Sequence, residues 1–278
     1  MRKEILLPAV AVAGGAVGFA FRRWELATAF EADTGLPIDG APATTALIVL
    51  SVAIAAALAV LCRGKYPAFS GYDQAFQAKG NTTYATAGIL SAFLLLGAAG
   101  MLVYEFLQAA PVDRIYTNLL VAALALASCF CVMGTVQNNF KGLGRGRLNF
   151  TLLLPAYTCG VWLIAAYQPR AGDPVQLDYV FALFAIIASL LGLYFHAAFG
   201  FTKGRPFCAV FFALLGVYFS ITTLADGHTL GSMLLYAFAI VYLLLSAITL
   251  LHNAGRPELL ARPEGDANDT TEGTPDES

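Results

Sequence analysis

Eight stretches of this chain are apolar over about the thickness of a lipid bilayer, and that one property removes almost every soluble fold from consideration. They cover residues 5–21, 45–62, 84–109, 114–136, 150–168, 179–201, 207–225 and 230–252. A membrane-crossing helix needs roughly 17–25 such residues. Hydrocarbon offers a bare backbone no hydrogen bonds, so separate spans of this kind must be helices. Composition agrees: 58% of the residues are hydrophobic and only 12% charged, where soluble domains carry about 25% charged residues. The expected fold class is an all-α integral membrane protein with eight transmembrane helices in residues 1–253.

The basic residues set the threading. With the N-terminus inside, the inner segments hold Arg2, Lys3, Arg63, Lys65, Lys79, Lys141, Arg145, Arg147, Lys203, Arg205, Arg256 and Arg262, and the outer segments hold only Arg22, Arg23, Arg114 and Arg170. Twelve against four places both termini in the cytoplasm under the positive-inside rule, and an even number of spans puts both ends on one side. The expected location is a cell membrane, the bacterial cytoplasmic membrane. The start, Met1-Arg-Lys-Glu before an apolar run to Phe21, carries the charges of a secretory signal. Its A-x-A sites at residues 9–13 would leave almost no apolar region ahead of a cut, so the segment reads as an uncleaved first span.

The net charge of −2 averages two unlike regions. Residues 254–278 hold seven acids and two arginines, a net of −5, which leaves the body at +3. The tail has too little apolar surface to fold and is expected to be a disordered cytoplasmic segment. Neither region has the footprint of a nucleic-acid surface. The five cysteines lie within or at the ends of apolar runs, an odd count that fits packing residues better than a disulfide framework. No metal site and no cofactor are predicted.

Two connectors have patterns of their own. Ser70-Gly71-Tyr72-Asp73 has capping-box spacing, Gly80 supplies a stop, and Phe69, Tyr72 and Phe76 recur at three- and four-residue intervals. This predicts a short amphipathic helix along the inner membrane surface, anchored by those aromatics. The loop Gln137–Asn149 is glycine-rich and cationic, which suits an anionic leaflet, but it lacks the spacing of a phosphate-binding loop. Leu6-Leu7-Pro8-Ala9 recurs as Leu153-Leu154-Pro155-Ala156, which raises a 4+4 parallel internal repeat about this loop.

Ionisable groups at membrane depth are costly, and so are functional candidates. His196 is one, inside the sixth run, as a candidate relay or haem ligand. The outer side collects Arg22, Arg23, Glu25, Glu105, Asp226 and His228. Brought together they would form a mixed-charge vestibule, which requires Arg22 or Arg23 to face inward against Glu105 or Asp226. Left apart they would snorkel to the interface beside Trp24. The segment Arg22–Thr45 is expected to extend the first helix and then fold back over the outer mouth. No catalytic constellation is present: Ser, His and Asp occur, but at no motif spacing. Three functions remain: a small-solute or ion permease with an outer polar vestibule, a non-transporting subunit that binds a protein partner or a second copy of itself, and a quinone- or haem-associated redox anchor. The bilayer itself is the one partner implied directly, and any small-molecule ligand is unspecified.

Overall fold

In the computed structural model, residues 3–31, 33–34, 36–64, 66–112, 114–143, 149–171, 175 and 178–256 are described. Nine α-helices occur among them: α1 (Lys3–Thr28), α2 (Pro42–Cys62), α3 (Tyr72–Ala75), α4 (Thr82–Gln108), α5 (Tyr116–Lys141), α6 (Leu154–Tyr167), α7 (Val180–Ala198), α8 (Pro206–Thr223) and α9 (Leu230–Ala254). All but α3 belong to segments long and apolar enough to cross a membrane, and the only strand-like pairing among the described residues is a single bridge, Phe30 to Pro37. The chain is a multi-pass, all-helical protein of membrane type. The acidic tail from residue 257 onward, and residues 144–148 of the glycine-rich loop, lie outside the described residues.

Local chemistry sets where the helices begin and end. Pro42, Pro155 and Pro206 open α2, α6 and α8 in their first turns, where a missing N–H costs nothing. Asn81 and Thr229 cap α4 and α9 by accepting the amides of Tyr84 and Ser232. Gly142 closes α5 with φ 68°, a left-handed position that suits glycine. Helix α5 therefore continues through Gln137–Lys141, which the sequence reading placed in a loop. Pro8 lies inside α1 rather than in its first turn, so the two Leu-Leu-Pro-Ala copies sit in different helical contexts.

Packing is uneven. Within their apolar windows 61% of α8 and α9 is buried but only 22% of α2. Helix α9 is central, touching α1, α4, α7 and α8, whereas α2 rests on α1 and α8 alone among the long helices. Two crossings are very close. A methyl group at Gly15 would meet the side chain of Ile221, and one at Gly18 would meet Thr222 Oγ1, so these α8 side chains pack directly on the α1 backbone. Gly192 and Gly216 bring α7 and α8 together, a Cβ at either lying about 3 Å from the facing backbone. Gly14 instead meets Ile54 of α2. Gly100 of α4 faces open space.

Lys3 Nζ donates to the carbonyl of Arg63 at 3.0 Å, and Glu4 meets His252 Nδ1 at 2.8 Å. The start of α1 and the end of α9 thus share one end of the bundle, called here the terminal end; the opposite end is the distal end. At the distal end α1 runs on to Thr28, as its apolar side through Leu26 suggested. A small hairpin follows, with Glu31 N–H bonded to Leu36 O at 2.9 Å and Ile38 N–H to Ala29 O at 2.8 Å.

Candidate functional site

Three polar features stand out, and the expected vestibule residues divide between two of them. The first is an ion cluster at the distal end. Arg22 is wholly buried. Its Nε donates to Asp226 Oδ1 and its Nη1 to Glu25 Oε2, both at 2.7 Å. Nη2 donates to the carbonyl of Asp178 at 2.5 Å, and the guanidinium lies 5.3 Å from the centre of the Phe181 ring. Asp226 Oδ2 accepts from Thr223 Oγ1 at 2.7 Å, and the same hydroxyl lies 3.0 Å from His228 Nε2. The sequence places these groups together simply: Gly15, Gly18, Arg22 and Glu25 fall three and four apart, on the one face of α1 that packs on α8. The glycines let the Ile221 and Thr222 side chains of α8 pack on the α1 backbone, and Arg22 on the same face is turned inward with them.

Arg22 therefore faces Asp226, as a vestibule requires, yet the result is a closed ion cluster and not an open mouth. Arg23, the next residue, is exposed beside exposed Trp24, the arrangement expected of interfacial snorkelling. One arginine went in and one stayed out.

The second feature is an open pocket of about 320 Å³ at the distal end, lined by residues of α4, α5, α6, α7 and α9 and their connecting segments. Glu105, Asn118, Arg170, His228 and Ser232 supply its polar wall; Phe106, Trp162 and Tyr236 supply its aromatic one. Glu105 Oε1 accepts the backbone amide of Gly231 at 2.8 Å, a carboxylate at the start of a helix, where the peptide dipole favours negative charge. Trp162 and Tyr236 pack with ring centres 4.6 Å apart, and Tyr236 in turn lies 4.8 Å from His228. Arg170 stands over Tyr179 at 5.2 Å. Burial holds the imidazole of His228 below its usual range; Asp226 opposes that, and Arg170 adds to it. No described residue of the hairpin between α1 and α2 lines this pocket.

The third feature is at the terminal end, and it corrects the reading of the 69–80 segment. In place of a surface helix there is one turn, α3, pushed into the bundle. Tyr72, Ala75 and Phe76 are buried, and only Phe69 is partly exposed. Gln74, not Asp73, reaches back to the amide of Ser70, at 2.6 Å. Tyr72 Oη lies 3.1 Å from His196 Nε2, which also meets Tyr242 Oη at 3.3 Å. Asn139 donates to the hydroxyls of Tyr84 and Tyr72, and Asn253 donates to the carbonyls of Ala75 and Gln77 at 2.9 and 3.0 Å. Phe76 covers the imidazole with ring centres 4.1 Å apart, and Phe199 closes on both Phe76 and Phe69. The aromatics recur at helical spacing because they seat a plug, not because they float on lipid.

The sequence reading missed Tyr84, Asn139, Tyr242 and Asn253. A signal was available: Ser232, Tyr236, Tyr242, Ser246, Thr249 and Asn253 follow three- and four-residue steps on α9, with one position between 236 and 242 filled by Ala239. They form a polar stripe on one of the two most buried helices, running from the cavity to the plug. No family model matches this chain, no curated protein matches it, and no solved structure matches it.

Proposed function

We propose that the protein is a membrane permease, or the binding half of one, whose solute site is the distal cavity. The observation that carries this reading is the cavity wall itself. Glu105 and Arg170 place opposite charges on one concave surface, together with His228, Asn118 and Ser232 and the Trp162–Tyr236 pair. Small-ligand sites are concave, largely apolar and furnished with a few convergent polar groups. A volume of about 320 Å³ suits a small solute bearing both a cationic and an anionic group. In this reading the distal end is extracellular and the termini are cytoplasmic, in keeping with the excess of basic residues on the terminal side, and the membrane is the bacterial cytoplasmic one. The α3 plug and its tyrosine–histidine–asparagine network then close the inner side while the outer cavity is accessible. The stripe on α9 joins the two.

Trp162 makes the reading testable without a transport assay. In a Trp24→Phe background it is the sole tryptophan, and small zwitterions screened against the purified protein are expected to change its emission. The change should be lost in Glu105→Gln and Arg170→Gln. If no zwitterion, amine or carboxylate alters Trp162 emission or thermal stability, the permease reading fails and a non-transporting membrane subunit takes its place. The redox-anchor reading draws no support from His196, whose Nε2 is engaged by two tyrosine hydroxyls.

A further inference from the structure

Among the described residues the buried distal ion cluster does not balance. Arg22 and Glu25 are wholly buried and Asp226 nearly so, one cation against two carboxylates. An uncompensated buried charge is expensive enough that such a site ordinarily takes up a counter-charge or a proton. Glu25 Oε1 is itself buried with no hydrogen-bond partner among the described residues.

The groups around the cluster narrow the choice. On α1, Arg23 points outward; before α7, Asp178 contributes a backbone carbonyl to Arg22, and Tyr179 lies beneath Arg170. From α9, Tyr236 packs against His228 while its hydroxyl donates to Ala182 O; from α4, Glu105 is held by the amide of Gly231. Of all these, His228 alone is a side chain that ordinarily changes charge near neutrality. It is also the one wired to the excess. Thr223 has a single hydroxyl hydrogen, and it goes to Asp226 Oδ2. The 3.0 Å contact with His228 must then be a donation from Nε2–H to Thr223 Oγ1, which fixes the neutral tautomer and leaves Nδ1 as the basic nitrogen.

The geometry points to a one-proton site: His228–Thr223–Asp226 takes a proton from the distal cavity and neutralises the excess negative charge of the Arg22–Glu25–Asp226 cluster. The proton adds at Nδ1 and turns imidazole into imidazolium. The Nε2–H to Oγ1 and Oγ1–H to Oδ2 donations stay as they are, so uptake breaks no existing bond. Because burial opposes the charged ring, filling belongs to pH below the usual imidazole range. A filled site also adds a cation to the wall shared by Glu105 and Arg170. Through that wall proton occupancy is linked to the charge of the solute proposed above, although the proton site stands without it.

The test is nitrogen NMR of the full chain, labelled at histidine and held in lipid nanodiscs, read across a pH series. The chain has three histidines, and His228→Gln identifies the signal. The expected result is the Nε2–H tautomer at neutral pH and a protonation midpoint that falls by about one pH unit or more, roughly tenfold in proton affinity, in Asp226→Asn. Thr223→Val should lower the midpoint by less and mix the tautomers while leaving every charge in place, which decides the matter if Asp226→Asn does not fold. A wild-type ring protonated on Nδ1 alone at neutral pH, or a midpoint unmoved by Thr223→Val and by any folded Asp226→Asn, overturns the proposal. Neither result bears on whether a zwitterion changes Trp162 emission.

Discussion

The two ends of the bundle are both sealed by polar contacts, and they use opposite chemistry. The distal end buries formal charges: a guanidinium held by two carboxylates, with a histidine one hydroxyl away. At the terminal end, the groups described around His196 are neutral donors and acceptors: Tyr72, Tyr242, Asn139 and Asn253. Removing one member of a neutral network strands a buried partner at about 1–3 kcal/mol. A charge cluster is less tolerant: removing the single cation leaves two carboxylates buried. The distal contacts are therefore the more brittle of the two sets.

The harshest way to break that contrast is Arg22→Met. It should cost about 3–5 kcal/mol, read as a shift in unfolding in mixed detergent and SDS, and much of the loss should return in the triple variant that adds Glu25→Gln and Asp226→Asn. Failure of the triple variant to recover would mean that Arg22 acts through packing on Phe181 rather than through charge. Gly18→Val comes next. Its side chain has to displace Thr222 from the α1–α8 contact, at about 1–3 kcal/mol, and should raise the accessibility of a cysteine placed at Glu25. At the other end, Asn253→Leu strands the carbonyls of Ala75 and Gln77 and should cost about 1–3 kcal/mol. Its sharper signature is proteolysis or hydrogen exchange confined to the 70–80 segment. Tyr72→Phe should cost about 1 kcal/mol, the smallest of the mutational effects, and leave the plug seated by its aromatic contacts.

The gentlest probe is pH. His228 holds its proton less tightly when folded than when unfolded, so between those two ranges the unfolded chain binds more protons and stability rises with pH. Stability should be level above the ordinary imidazole range and should decline as pH falls below it. His228→Gln should flatten that part of the profile in thermal unfolding followed across pH. The terminal-end variants should leave it unchanged, which separates the two seals once more.

How much of this could be read from the residues depends on the scale of the feature. The spans were legible because a bilayer demands a length, and the observed helices differ from expectation mainly where caps act, as at Gly142. The inward turn of Arg22 was half legible: its conflict with charge rules marked it, but which of two adjacent arginines enters depends on the Gly15–Gly18 face meeting α8. The fate of α3 was hidden, since Phe69, Tyr72 and Phe76 show the same periodicity whether they meet lipid or protein. The cavity was hidden too, because five helices each contribute one to three wall residues and no local pattern records that convergence. The α9 stripe was present in the spacing but diluted by the leucines between its members.

The pairing of Arg22 with Asp226 has a consequence for how the protein is made. The two residues are 204 positions apart, and at roughly 5–20 residues per second of synthesis the second follows the first by roughly 10–40 s. Through that interval α1 waits in or beside the translocation machinery with its arginine matched only by Glu25, and with the glycine face meant for α8 uncovered. Glu25, three residues along the same helix, is thus a chaperone in cis: it keeps the cation tolerable until the partner helix arrives. Replacing it should harm the yield of inserted protein more than the stability of the protein once assembled.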